Sequence, residues 1–173
     1  MSSSLFYSLL IRKFPFRPTT KQNIFFQKIA EFITNTNDNE IFVLKGYAGT
    51  GKTTVISTIV NNLAEINKKY VLLAPTGRAA KVIANYSHKP AFTIHKKIYF
   101  PKKNSGGGVS FTMQQNKHKN TFFIVDEASM ISDTNSESKL YENGSLLDDL
   151  ISYIYSGTNC KMILLGDTAQ LPP

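Results

Sequence analysis

A short glycine-rich segment between two apolar segments limits what this chain can fold into. Residues 46–53 read Gly-Tyr-Ala-Gly-Thr-Gly-Lys-Thr, which fits the pattern G-x-x-x-x-G-K-[ST]. Residues 41–44 form an apolar run typical of a buried strand, and residues 54–63 are apolar at helical spacing. A chance match in a glycine-containing turn is the alternative. The flanking strand and helix favour a phosphate-binding loop instead.

The chemistry of this loop follows from its residue types. Glycines let backbone N–H groups close around phosphate oxygens, and the positive end of the following helix faces the negative charge. Lys52 is expected to reach the β- and γ-phosphates, and the Thr53 hydroxyl to ligate Mg²⁺. The nucleotide contacts predicted for residues 46–54 are Gly46, Ala48, Gly49, Thr50, Gly51, Lys52, Thr53 and Thr54.

Composition indicates a folded domain without a membrane segment. The chain has 173 residues, of which 42% are hydrophobic and 18% charged, as in globular proteins. Its apolar stretches are far shorter than a membrane span, so we expect no membrane partner. The single cysteine, Cys160, precedes an apolar run and is interpreted as a buried thiol. A reducing, cytoplasmic location fits this composition.

Charge is unevenly distributed along the chain. Residues 1–120 carry 18 Lys and Arg against 4 Asp and Glu, whereas residues 121–173 carry 2 against 8. In residues 89–103 five lysines alternate with Phe92, Tyr99 and Phe100. Lysines beside aromatic rings suit a single-stranded nucleic acid, because phosphates meet charge and bases stack on rings. A solvated basic surface over core aromatics remains the alternative.

Apolar runs alternate with helical patterns along the rest of the chain. The runs at residues 41–44, 70–74, 121–125 and 161–165 are predicted to be buried strands. This alternation predicts an α/β fold, a parallel sheet with helices on both faces, with ligands at the carboxyl ends of the strands. Residues 1–40 are assigned to an N-terminal helical segment and residues 41–173 to the nucleotide-binding domain. A short β-hairpin insertion is predicted within residues 102–120.

Two further segments carry polar groups at predicted strand ends. The run at residues 122–125 ends in Asp126 and Glu127. Asp126 is expected to hold Mg²⁺ through water opposite Thr53, and Glu127 to orient and deprotonate the attacking water. Gln170 follows the fourth strand, where its amide is predicted to bond the γ-phosphate or that water; a polar turn ended by prolines is the alternative. The predicted catalytic residues are Lys52, Glu127 and Gln170.

Taken together, these segments resemble superfamily 1 helicases, most closely the RecD-like branch called superfamily 1B. Six elements occur in the order of that family, at residues 20–22, 46–54, 74–80, 93–95, 126–129 and 166–173. The resemblance covers nearly the whole chain. It identifies residues 41–173 as the first RecA-like motor domain, of the P-loop NTPase fold, and the hairpin as a reduced 1B subdomain or pin.

The resemblance implies roles that the residues alone do not give. Gln22 falls in the family's Q motif and would recognise adenine. Thr76 and Arg78 fall in motif Ia, and Thr93 and His95 in the Thr-Ile-His element, all of which face single-stranded DNA in the family. The implied cofactors are ATP and Mg²⁺, and the implied activity is 5′ to 3′ translocation on single-stranded DNA with duplex unwinding.

The family's second RecA-like domain, with its arginine finger, has no counterpart in the 173 residues. That domain is the other implied partner, and an arginine finger is worth roughly 10³–10⁵ in rate. We therefore expect the chain alone to bind nucleotide, to hydrolyse it very slowly and to unwind nothing.

Two other classes of protein stay open. A P-loop kinase would need an arginine-rich lid, yet the chain has three arginines. A non-catalytic DNA-binding module would not need intact Lys52, Asp126 and Glu127.

Overall fold

A five-stranded parallel sheet forms the centre of the chain in a computed structural model, which describes residues 1–46, 51–131 and 140–167. The strands of the described part are β1 (Ile41–Gly46), β2 (Lys69–Ala74), β3 (Ala91–Thr93), β4 (Tyr99–Lys103), β5 (Val109–Met113), β6 (Thr121–Val125) and β7 (Lys161–Asp167). The sheet has the order β1-β7-β6-β2-β3, and every neighbouring pair is parallel. β4 and β5 form a separate antiparallel hairpin.

Helices cover both faces of this sheet. They are α1 (Ser3–Lys13), α2 (Thr20–Thr34), α3 (Lys52–Asn62), α4 (Gly77–Ser87), α5 (Ile94–Ile98) and α6 (Leu146–Tyr155), with short 3₁₀ turns at Leu63–Ile66 and Ala128–Met130. Side chains from α1 to α4 pack in one core, and those from α5, α6 and the hairpin pack in another. The predicted α/β fold of the P-loop NTPase type, with helices on both faces and a hairpin insertion, is confirmed.

The positions of the strands in the sheet explain their burial. Every residue of the central strand β6 is buried, as its unbroken apolar run predicts. β1 lies at the edge of the sheet, and its residues alternate between exposed and half-buried. Val43 is 52% exposed, while Phe42 and Leu44 pack against the first core. The prediction of a buried first strand was therefore wrong, because only one face of β1 packs against the core.

The hairpin is joined to α6 by a buried carboxylate. It starts at Tyr99, three residues earlier than predicted, and Tyr99 is almost fully buried. The Tyr99 hydroxyl donates to Asp149 Oδ2 at 2.5 Å. The backbone N–H groups of Glu142 and Asn143 also donate to Asp149, at 3.2 and 2.7 Å, and so does the Asn143 amide. These bonds fix the hairpin and the turn before α6 to one another.

None of the helices within the described ranges has both the length and the apolar composition needed to cross a membrane.

Replacement of Asp149 by Ala should destabilise the fold. The carboxylate is fully buried, so its loss leaves several donors without their acceptor, at a cost of about 2 to 3 kcal/mol. For a chain of this size the midpoint of thermal unfolding should fall by about 5 to 10 °C, measured by circular dichroism. Asp148→Ala, at an exposed position of the same helix, is the control and should change the midpoint much less. Equal shifts for both variants would contradict the role of Asp149.

Candidate functional site

The carboxyl ends of the central strands meet at one edge of the sheet. Pairing places Gly46 at the end of β1 opposite Asp167 at the end of β7, and Asp126 directly follows β6. A cavity of about 390 Å³ opens at this edge. Its walls include Lys52 and Thr53 from the start of α3, Asp126 and Glu127 after β6, and Asp167 at the end of β7. The described end of the predicted P-loop, residues 51–53, and the predicted acidic pair thus lie around one cavity.

The start of α3 depends on a glycine. Gly51 has φ of 79°, a left-handed conformation that residues with a side chain rarely adopt. A Cβ at this position would lie 3.0 Å from Gln22 Nε2, so a side chain would also crowd its neighbour. Lys52 Nζ donates to the Gly46 carbonyl at 2.7 Å, which holds the ammonium group beside the end of β1. Ala48, Gly49 and Thr50 lie outside the described residues.

Gln22 lies beside the P-loop through its place at the start of α2. Its backbone N–H donates to Thr19 Oγ1 at 3.2 Å, and its side-chain oxygen accepts from the Thr19 N–H at 3.0 Å. This reciprocal pair is a capping box, which stabilises the first turn of the helix. The other end of the amide, Nε2, faces Gly51. One helix cap therefore sets the position of a residue predicted to contact adenine.

The two acids after β6 occupy different environments. The pKa of Asp126 is raised because the carboxyl group is buried. The Glu127 backbone N–H and the Lys52 ammonium offset part of this increase. Burial also raises the pKa of Glu127, and the nearby Asp126 and Asp167 carboxylates add to the effect. Glu127 has φ of 54°, a left-handed backbone that costs a non-glycine residue about 1 to 3 kcal/mol. Such backbone strain commonly occurs at active sites, where it orients a side chain for function.

The residues present fit Mg²⁺ only together with phosphate oxygens. Within the described ranges, no group of three or more His, Cys, Asp or Glu side chains is arranged to hold a metal ion. Mg²⁺ commonly binds one or two carboxylates together with water and substrate phosphates. Asp126 and the Thr53 hydroxyl line one cavity with Lys52, so they offer such a partial set of ligands. Gln170 lies outside the described residues.

A second cavity, of about 440 Å³, shares a wall with the first. Thr76 and Arg78 line it on one side, and Asp126 and Glu127 line both cavities. The Thr76 hydroxyl accepts from the Ala79 N–H at 3.2 Å and caps α4, which leaves Arg78 exposed in the first turn. Two predicted DNA contacts therefore lie next to the acids that were predicted to act on ATP.

Thr93 and His95 lie at the neighbouring strand end. Thr93 pairs with Ala74 of β2, and its hydroxyl caps α5 by accepting from the Lys96 N–H at 3.2 Å. The His95 ring lies among aromatic rings, with Nε2 at 3.3 Å from the Tyr141 hydroxyl. Its half-buried imidazole belongs to the wall between α5 and the hairpin.

Sequence reasoning missed three apolar side chains around these cavities. Val82, Tyr86 and Met130 are 45%, 65% and 51% exposed, and each lines one or both cavities. Arg78, Val82 and Tyr86 are spaced four residues apart and so share one face of α4. The sequence contains this spacing, but it does not show which face of α4 is exposed. The packing of Ile83 against the core shows that the face with Arg78, Val82 and Tyr86 is the exposed one.

Comparison with known families decides the classification. A family model described as an AAA domain matches residues 29–173, which includes both cavities. The chain belongs to this AAA domain family.

Several curated proteins are similar to this AAA domain. An uncharacterized protein of Acanthamoeba polyphaga mimivirus is 34% identical over 176 residues, covering 89% of this chain and 33% of that protein. The RecBCD enzyme subunit RecD of Buchnera aphidicola is 31% identical over 168 residues, covering 85% and 25%. The ATP-dependent RecD2 DNA helicase of Deinococcus radiodurans is 27% identical over 141 residues, covering 78% and 16%.

These matches confirm the resemblance to RecD-like helicases that the motifs indicate. They also identify the AAA domain as a nucleotide-binding P-loop domain of the helicase type. The chain spans only 33%, 25% and 16% of the lengths of these three relatives.

Asp126→Asn should stabilise the AAA domain in the absence of nucleotide. Because burial raises the pKa of Asp126, the folded chain binds more protons than the unfolded chain between the ordinary value of 3.8 and the raised value. The unfolding free energy therefore falls as pH rises through this window, and the uncharged Asn avoids that loss. Thermal unfolding should show a higher midpoint for Asp126→Asn at neutral pH and little difference near pH 4. A lower midpoint at neutral pH would contradict the burial of a charged Asp126.

Proposed function

We propose that this chain is the ATP-binding first motor domain of a DNA helicase, which couples ATP hydrolysis to 5′ to 3′ movement along single-stranded DNA and to duplex unwinding. The observation that carries the proposal is the shared wall between the two cavities. Asp126 and Glu127 face the Lys52 cavity on one side and the Arg78 cavity on the other. The acids that would respond to nucleotide binding or hydrolysis therefore also form part of the surface proposed for DNA.

The proposed nucleotide site follows the geometry of the first cavity. Lys52 would contact the β- and γ-phosphates, and Thr53 and Asp126 would hold Mg²⁺, which supplies charge neutralisation at the transferring phosphate. Glu127 would accept a proton from the attacking water, and burial, by raising the pKa of its carboxyl group, makes the carboxylate a stronger base. The remaining proposed contacts are Gln22 with adenine, Gly46, Ala48, Gly49, Thr50, Gly51 and Thr54 with the phosphates, and Gln170 with the γ-phosphate or the water.

The proposed DNA surface runs along the same sheet edge. Arg78 is exposed and able to pair with a phosphate, while Thr76, Thr93 and His95 lie at the ends of neighbouring strands. One relative, from Deinococcus radiodurans, is an ATP-dependent DNA helicase by name. The direction of movement and a place in DNA repair and recombination are extended to this chain from the RecD-like resemblance, and a cytoplasmic location is proposed from its composition.

We further propose that a second RecA-like domain closes over the nucleotide cavity. Val82, Tyr86 and Met130 would then be covered, since exposed apolar side chains grouped beside a polar cleft are typical of an interaction surface. Such a domain would supply the arginine that stabilises charge in the transition state. In this scheme residues 1–40 carry the Q motif, residues 41–173 form the first motor domain, and the hairpin is a reduced 1B subdomain.

Two variants should separate ATP binding from DNA binding in this chain. Lys52→Ala should weaken Mg-ATP binding by at least about tenfold in calorimetric titration, because a charged phosphate contact is lost. Binding of labelled oligothymidylate, followed by fluorescence anisotropy, should change little. Arg78→Ala should weaken oligothymidylate binding and leave Mg-ATP binding unchanged. The dependence of DNA affinity on salt should fall by the amount expected for about one lost phosphate contact.

Lys28→Ala, at an exposed position of α2, is the matched control and should alter neither affinity. Unchanged Mg-ATP binding in Lys52→Ala would refute the assigned nucleotide site, and unchanged DNA binding in Arg78→Ala would refute the assigned DNA surface. In a protein that joins this chain to a second RecA-like domain, single-stranded DNA should stimulate ATP hydrolysis. Hydrolysis indifferent to DNA would favour another class of P-loop enzyme.

A further inference from the structure

A third cavity, of about 550 Å³, lies away from the nucleotide site. It is bounded by α5, by the segment that follows β5, and by one side of α6. Its lining includes Phe92, Lys96, Lys97, Phe100, Lys117 and His118. None of these residues lines the two cavities at the sheet edge. We call this cavity the lysine groove.

The described walls of the lysine groove carry positive charge. Among the described residues that line it, three are lysines and none is a carboxylate. Lys97 Nζ lies 5.2 Å from the centre of the Phe92 ring, so this ammonium group contacts an aromatic face. Burial lowers the pKa of His118, and the charges of Lys97 and Lys69 lower it further. A groove of this kind attracts anions, with a strength that depends on salt.

Aromatic side chains in the groove give it more than charge. Phe100 is 58% exposed although it stands beside the almost fully buried Tyr99, and Phe92 is half-buried. An exposed ring between lysines is able to stack a base while the lysines contact the flanking phosphates. Gln115 adds an exposed amide to the same wall. This combination matches the two parts of a nucleotide rather than a simple anion.

The walls of the groove are held in place by hydrogen bonds to buried and half-buried backbone carbonyls. The Gln114 N–H donates to the Ile98 carbonyl, and its side-chain amide donates to the Tyr99 carbonyl, both at 2.7 Å. Asn116 Nδ2 donates to the carbonyls of Tyr153 and Ile154 at the end of α6, at 2.9 and 3.2 Å. The segment after β5 is thereby tied to α5 on one side and to α6 on the other, so the groove is formed without a ligand.

The groove is also close to the proposed DNA surface. Lys96 and Lys97 lie on α5, which begins directly after Thr93. The helix has five residues and is therefore about 7.5 Å long. A strand that contacts Thr93 and His95 would reach the groove within a few nucleotides.

We propose that the lysine groove is a second binding surface for single-stranded nucleic acid, with phosphates on Lys96, Lys97 and Lys117 and a base stacked on Phe100. This inference extends the proposed function but stands on different residues, so the two can fail separately. An acidic peptide shares the negative charge but has no bases to stack, and the exposed ring favours the nucleic acid.

Charge reversal and ring removal test the proposal in the intact chain. The double variant Lys96→Glu with Lys117→Glu should lower oligothymidylate affinity at least tenfold and reduce the salt dependence by about two phosphate contacts. Phe100→Ala should lower affinity between about fivefold and about a hundredfold with unchanged salt dependence, because only stacking is lost. All variants should keep their Mg-ATP affinity, which also reports that the fold is intact.

The matched control is Lys13→Glu with Lys28→Glu, which makes the same charge change on α1 and α2 and should have much less effect. Lys96→Gln with Lys117→Gln should weaken binding as well, and it replaces the Glu pair if that pair fails to fold. Wild-type affinity in the groove variants would overturn the proposal. The proposal would also be overturned if the lysine variants lost affinity for a labelled polyglutamate peptide as much as for oligothymidylate and Phe100→Ala had no effect on either. If the groove variants lose oligothymidylate affinity while Arg78→Ala binds normally, the groove proposal is supported and the first DNA surface is refuted.

Discussion

The structure depends on the parallel pairing of β6 between β2 and β7. Because neighbouring strands run the same way, the residue that follows each strand arrives at one edge of the sheet. Burial of all five residues of β6 stabilises this arrangement and brings Asp126 and Glu127 to that edge. The apolar residues of the strand therefore determine where the charged residues after it lie.

Placement of the acids at that edge has an energetic cost that fits a functional role. Asp126 is buried enough to raise its pKa, Glu127 adopts a left-handed backbone, and the Asp126 carboxylate lies close enough to raise the pKa of Glu127. Natural sequences tend to retain such costs where a site requires them. Lys52 offsets part of the cost for both acids, and bound Mg²⁺ would offset more. Nucleotide binding is thus expected to stabilise the same edge that bears Arg78.

Local sequence patterns predicted the elements whose cause is local. The glycine turn before α3 and the apolar run of β6 each determine their own structure within a few residues. Features that depend on distant partners were not predictable in this way. Examples are the exposed face of β1, the buried bonds of Asp149 to the hairpin, and the meeting of Lys96 with Lys117 across the groove. Each requires the order of the strands, which periodicity alone does not give.

We propose that the nucleotide and DNA surfaces share one edge of the sheet. Amide hydrogen exchange of the chain, followed by mass spectrometry with and without Mg-ATP, tests it most directly. Protection should appear in the first turn of α3, around Asp126 and Glu127, and in the first turn of α4 that carries Arg78. Protection confined to other segments under saturating Mg-ATP, or protection of α3 that leaves both acids and α4 unchanged, would contradict the claim.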